Sequence, residues 1–306
     1  MSQSQQHPSS GQSRVSLYED VTAYIVAEME KGFVPWVKPW DTSGISLGLP
    51  RSAATRKTYS GINVLTLWDA VITRGFAAQE WLTFRQALGL GGHVRKGERG
   101  TTICYADSFV PQSERERAQE QGDDPSAVPF LKRFTVFNVE QCEGLPAHIA
   151  APVTWTPGNG DFSAADALIL ATDADIREGG GEAYYHQGED FIRLPPPAAF
   201  ISAADFVCTA CHELGHWTGH PSRLARDLRH RFGSSAYARE ELIAELTSAF
   251  LSAHLNIMPQ IRHHNYLSHW LAILKEDARA IFHAASQASK ATDFLLAFQS
   301  SERNAP

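Results

Sequence analysis

The sequence predicts an α+β protein of two domains. Three observations carry that prediction: apolar residues recur at helical spacing in both halves of the 306-residue chain, two β-branched and aromatic runs stand close together in the first half, and an aperiodic stretch rich in proline and glycine parts the halves. A chain of this length is expected to hold two cores of ordinary size. The dividing stretch, within GLPAHIAAPVTWTPGNGD, sets a linker at 146–160, a first domain at 17–145 and a second at 161–300, after a polar, disordered tail at 1–16.

In LYEDVTAYIVAEMEKG, Val21, Tyr24, Ile25 and Met29 share one helical face, and Gly32 closes the helix. The proline-, glycine- and serine-rich run that follows, to about residue 60, is expected to be extended and irregular. INVLTLWDAVITRG and AQEWLTFRQALGLGG read as two further helices, and a basic turn, HVRKGERG, comes next. TTICYADSFV and FLKRFTVFNV read as strands that pair, and the charged segment 111–129 between them as a solvated loop or a short charged helix. Expected in the second half are a helix at 163–173, a hairpin from AYYH and DFIRLP, a helix around HELGH, a helix over about 236–256 and a last helix over about 264–284.

Composition excludes some classes. Hydrophobic residues make up 43% and charged residues 20%, and no apolar run approaches the about 18 residues that a membrane helix needs. The polar N-terminus lacks the apolar stretch of a secretory signal, and four scattered cysteines are too few for a disulfide framework. Both point to the cytoplasm and away from a membrane partner. The net charge of −7 argues against a general nucleic-acid binder, but residues 51–106 alone carry eight Lys and Arg against three Asp and Glu, so basic charge is concentrated locally.

The sharpest local chemistry is HELGH, residues 212–216. Helical residues four apart stand one above the other, so His212 and His216 can offer both imidazoles to one metal ion, with Glu213 beside them as general base. The downstream run YAREELIAELTSAFL supplies Glu241 and Glu245, one turn apart on one face, as candidates for a third ligand. By resemblance to zinc peptidases whose third ligand is a glutamate on a downstream helix, Glu241 is assigned as ligand and Glu245 as the group that orients a ligand histidine; the reverse order stays open. His220 and His230 are alternative third ligands, read first as surface residues. Cys208, Cys211 and His212 also spell the C-x-x-C-H signal of haem attachment, set against the plainer reading of small cysteines packing a helix. The cofactor expected is zinc, with manganese or another divalent ion able to use the same ligands.

The first half interleaves aromatic and basic residues: Trp36, Lys38, Trp40, Arg56, Lys57, Tyr59, Asn63, Arg85, Arg95 and Lys96, with Phe84 and Arg99 nearby. Single-stranded nucleic acid is bound by that combination, aromatic faces stacking on bases and cations following phosphates, largely without regard to sequence. Trp68 and Trp81, at helical spacing with Leu65 and Leu82, are expected in the core, whereas Trp36 and Trp40, in proline-rich sequence, are expected to be exposed.

Taken in order, LYEDVTAYIVAEMEKGFVPWVKPW, YSGINVLTLW, WLTFRQALGLGGHVRKGERG, VFNVEQCEG, HELGHWTGHPSRL and YAREELIAEL closely resemble the ArdC-type antirestriction proteins of mobile genetic elements, over about residues 17–295. The resemblance implies an N-terminal domain that binds single-stranded DNA, also found attached to plasmid primases. It implies a C-terminal zincin-like metallopeptidase domain similar to DNA-dependent proteases such as Spartan, and a role in protecting incoming plasmid DNA from host restriction. A Spartan-like site would take histidine as third ligand where this chain offers Glu241. Two readings follow: a zinc peptidase acting on a DNA-bound or restriction protein, or a non-catalytic coat of single-stranded DNA whose metal only stiffens the second domain. The coat reading expects residues 1–150 to bind DNA alone.

Overall fold

A computed structural model describes residues 17–32, 34–36, 48–121, 126, 128–150, 162–229, 233–258 and 267–302. The elements of the first half are α1 (Leu17–Glu30), β1 (Arg51–Ser52), α2 (Ile62–Arg74), β2 (Glu80–Thr83), α3 (Phe84–Gly89), β3 (His93–Val94), β4 (Thr101–Phe109), α4 (Gln112–Gln121), β5 (Val128–Asn138), β6 (Cys142–Glu143) and α5 (Ala147–Ala150). Those of the second half are α6 (Ser163–Ala171), β7 (Asp175–Glu178), β8 (Tyr184–His186), β9 (Phe191–Leu194), α7 (Ala203–Trp217), α8 (Ser235–His254), α9 (Leu267–Glu276) and α10 (Ala280–Glu302). The expected linker falls mostly on residues 151–161, outside the described residues; its start carries the short helix α5.

The two strands expected to pair do so: β4 and β5 run antiparallel in register from Thr101↔Val136 to Phe109↔Val128, and the charged segment between them is the helix α4. They belong to a sheet ordered β1-β2-β5-β4. The helix expected over AQEWLTFRQALGLGG is not one helix. Glu80–Thr83 is a strand paired to β5, and the helix starts only at Phe84. The cause is a capping box: Thr83 accepts from the Gln86 amide at 3.2 Å while Gln86 accepts from the Thr83 amide at 2.8 Å. Trp81 and Leu82 are buried as expected, but from a strand.

In the second half β9 lies between β7, parallel to it, and β8, antiparallel to it. The hairpin was legible; β7, with the polar sequence DIRE, was not. The last helix divides in two. Asp277 accepts from the Arg279 backbone amide at 2.9 Å, which restarts the chain as α10, extending to Glu302. Buried Ala284, Ala285, Ala288 and Ala291 give α10 a small-residue face, and it packs on α8.

One hydrophobic core joins residues of both halves. Trp68 of α2 meets Phe250 of α8 edge to face at 5.6 Å, and Trp36 meets Trp270 of α9 at 5.9 Å. Ser289 on α10 accepts from the Gly61 amide, and Thr22 on α1 donates to the Ala278 carbonyl. α8 accordingly is buried on all sides from Leu242 to Ala253, the mark of a helix inside a core. Among the described residues no helix is long and apolar enough to cross a membrane.

This packing corrects the expectation for Trp36. Its ring is fully enclosed, at 0% exposure, and offers no face to a base. Trp36→Ala should therefore cost about 3–5 kcal/mol of unfolding free energy in denaturant titration, as a core truncation does; a loss below about 1 kcal/mol would show that the ring is not core.

Candidate metal centre

α7 begins at Ser202, whose hydroxyl accepts from the Asp205 amide, and is buried from Val207 to Gly215. α8 begins at Ser234, which accepts from Tyr237. The two helices touch closely at Gly215: a Cβ there would stand 3.1 Å from the Ala244 Cα and 3.3 Å from the Thr247 Cβ. This glycine lets α8 approach until its acids reach the histidines of α7.

The structure brings together His212, His216 and Glu241, each offering a ligand atom within 4.8 Å of the others. Glu241 Oε2 lies 3.6 Å from His212 Nε2, and its Oε1 lies 3.5 Å from His216 Nε2. Behind the rings stand two more carboxylates: Glu245 is 3.6 Å from His212 Nδ1, and Glu240 is 3.2 Å from His216 Nδ1. A neutral imidazole carries one N–H, and each ring has a carboxylate waiting for it at Nδ1. The proton placed there leaves two Nε2 lone pairs facing each other at 3.2 Å, with both Glu241 oxygens aimed at the same place. Such donors repel unless a cation lies among them. The set therefore fits a divalent ion held by two imidazoles and a carboxylate.

The electrostatics show the same demand. Burial would push the His212 imidazole down, but the Glu241 and Glu245 carboxylates beside its two nitrogens and the nearby Glu213 charge outweigh it and bring it up to about 10. Burial would raise Glu241, yet the two histidines pull it down to about 2. Glu213, at 6% exposure, is raised by burial and by the Glu241 charge, against the two histidines and a hydrogen bond from the Tyr185 backbone. That hydrogen bond ties the edge strand β8 to the site.

Two contributors were missed from sequence. Glu240 is one; Arg226 is the other, donating to both Glu240 oxygens at 3.1 and 2.8 Å. Arg223 also donates to Asp190 and to the Tyr185 hydroxyl, fastening β8 to the loop after α7. His220 sits 4.0 Å from Asp190, outside the ligand group, and His230 lies outside the described residues. Cys208 and Cys211 are buried free thiols on α7, Cys208 against Ser252, as the helix-packing reading expects.

The residues expected to contact DNA have different surroundings among the described residues. Lys38 and Trp40 lie outside the described residues. Asn63 uses both ends of its amide on the Cys104 backbone, capping the edge of the sheet at β4, and Tyr59 packs half-buried on the shared core. Both have partners within the fold. Arg56 is exposed but paired with Glu80, and Arg95 with Glu98. Lys57, Arg85 and Lys96 are exposed. Two exposed aromatics escaped notice, Tyr105 and Phe134 on β4 and β5, at 49% and 45% exposure and edge to face at 6.0 Å. Alternation along both strands was the available signal.

Gly215→Ala should force α7 and α8 apart, lowering stability by about 1–3 kcal/mol as overpacking does. Metal affinity should fall with it, read by chelator competition; unchanged affinity would separate the helix contact from the site.

Comparison with known proteins agrees with this geometry. Residues 163–287 match the zincin-like metallopeptidase family, and residues 15–137 match the N-terminal domain of anti-restriction factor ArdC. The chain is 38% identical over 297 residues to the Sinorhizobium fredii protein y4eC, covering 96% of each. It is also 38% identical to an Escherichia coli DNA primase TraC over 92% of this chain but 27% of the primase, so it spans about a quarter of that relative. Solved structures of the antirestriction ArdC protein from R388 plasmid are similar throughout. The metal-free form has 39% identity, a TM-score of 0.78 and coverage of 94% of this chain and 99% of that one. The Mn(II)-bound form has 38%, 0.76, 93% and 98%.

Proposed function

The chain belongs to the ArdC family of antirestriction proteins, and from that premise we propose that it binds single-stranded DNA of an incoming mobile element and carries a zinc-dependent peptidase-type site. The convergence of His212, His216 and Glu241 on one point, with Glu213 buried beside it, carries the reading. The zincin-like match and the Mn(II)-bound relative suggest a divalent ion; zinc is the proposed one, with manganese able to use the same donors.

When bound, such an ion supplies Lewis acidity, polarising a carbonyl and making water acidic enough to react near neutral pH. The chain supplies the rest. Glu213 is placed to accept a proton from the attacking water and return it to the leaving amine. The Tyr185 amide fixes that carboxylate, and burial raises its basicity. β8, paired among the described residues to β9 alone, offers an edge along which an extended peptide adds as a strand. A DNA-bound or restriction protein is the proposed substrate, and host restriction of entering plasmid DNA the process opposed.

Glu213→Gln should preserve metal binding and DNA affinity while abolishing protection of plasmid DNA in cells, by at least about 10²-fold if proton transfer is required. Protection at the wild-type level would instead support a DNA coat whose ion stiffens the α7–α8 pair.

For the DNA reading, the exposed cations give a quantitative test. Arg85→Gln combined with Lys96→Gln should reduce the salt dependence of single-strand affinity, the slope of log K against log salt falling by about 1.4 for two lost phosphate contacts. An unchanged slope removes both from the interface.

A further inference from the structure

We infer that Arg226 and Glu240 are positioning residues of the metal centre, a relay that fixes His216 as a ligand from outside the ligand set. The inference rests on the proposed reading that His212, His216 and Glu241 hold a divalent ion. Arg226 lies in the loop after α7, with its side chain at 7% exposure. Its guanidinium donates through Nε to Glu240 Oε2 at 3.1 Å and through Nη2 to Glu240 Oε1 at 2.8 Å. The same Nη2 reaches the Gly215 carbonyl at 2.7 Å, and Nη1 the Thr218 hydroxyl at 2.9 Å. Glu240 Oε1 then meets His216 Nδ1 at 3.2 Å.

The consequences are geometric. A two-point grip on Glu240 sets the plane of its carboxylate, and that plane sets where the Nδ1 proton of His216 points. The ring is thereby turned so that Nε2 faces His212 and Glu241. Because Arg226 is anchored to the C-terminal end of α7 itself, Glu240 on α8 is held in a frame that moves with His216. Gly219 makes room for this: a Cβ there would stand 2.9 Å from Arg226 Nη2. Lysine could not substitute, since one ammonium cannot span both carboxylate oxygens and the Gly215 carbonyl in plane.

The two histidines are thus held differently. Glu245 stands behind His212; His216, nearer the open end of α7 and more exposed, has a carboxylate locked by a buried cation. A divalent ion with Arg226 would bring three positive charges to the carboxylates of Glu240, Glu241 and Glu245, with Glu213 a fourth buried acid beside them.

The test uses the full chain, stripped with a chelator and titrated with Zn²⁺ and Mn²⁺ against a chromophoric competitor, with thermal unfolding of the metal-free protein measured alongside. Glu240→Gln and Arg226→Lys should each weaken metal binding by about 10- to 100-fold, and the visible absorption of the Co²⁺-loaded variants should shift as His216 changes orientation. Thr218→Val removes one of the two α7 anchors of Arg226 and leaves its grip on Glu240 intact, so it should weaken metal binding less than Arg226→Lys does. Should Glu240→Gln not fold, Arg226→Lys reads the relay from its other end. Folded variants with wild-type affinity and an unchanged Co²⁺ spectrum overturn the relay. A wild-type chain that binds no metal, or a His212→Ala chain that binds it equally well, overturns the metal reading beneath it.

Discussion

The contact of α7 with α8 at Gly215 is the constraint on which the site depends. A side chain there would press on the backbone of Ala244 at 3.1 Å, so glycine permits the close approach that places Glu240, Glu241 and Glu245 around His212 and His216. Glu213, buried on the same helix, completes a group of four acids inside the protein. Burying charge without partners costs several kcal/mol per ion. The arrangement is tolerable because every one of these carboxylates meets an imidazole, a guanidinium or a backbone amide, and because the remaining lone pairs converge where a cation can sit.

α8 has a second allegiance. The turns that carry the acids also carry Leu242, Leu246, Ala249 and Phe250 into the core shared with α2, where Trp68 meets Phe250. The family matches divide the chain into an N-terminal ArdC domain and a zincin-like domain; two apolar clusters respect that division, but the largest takes residues from both halves. Trp36 and Trp68 find their partners in the second half. A fragment of residues 1–150 would expose those rings, so failure of such a fragment to bind DNA would say nothing about where DNA binds; point substitutions in the full chain are the informative experiments.

The metal group was the most legible part of the sequence because it obeys one rule, that residues four apart on a helix share a face. His212 with His216 and Glu241 with Glu245 both follow it. Glu240 does not. It adjoins Glu241 and points about 100° away around the helix, and it reaches His216 only because α7 and α8 lie so close. Arg226 is a loop residue with no periodicity to betray it. The first half was harder. Trp36 sits in proline-rich sequence, which signals irregular backbone but says nothing about burial, and Trp270, the ring that covers it, is over two hundred residues away. The apparent helix at AQEWLTFRQALG read one periodicity across two elements, although the pair Thr83 and Gln86 marked the true start.

These features tie metal binding to folding in a definite direction. The acids of α8 can converge on the histidines only when α8 is docked, and α8 is docked on its far side by residues of the first half. Binding an ion at the near side therefore stabilises a packing arrangement to which both halves contribute. The loop after α7 takes part as well, since Arg226 clasps Glu240 while Arg223 clasps Asp190 and so holds β8 beside Glu213. Two arginines three residues apart on one loop thus fasten the two walls of the site, one behind the His212, His216 and Glu241 group and one behind Glu213.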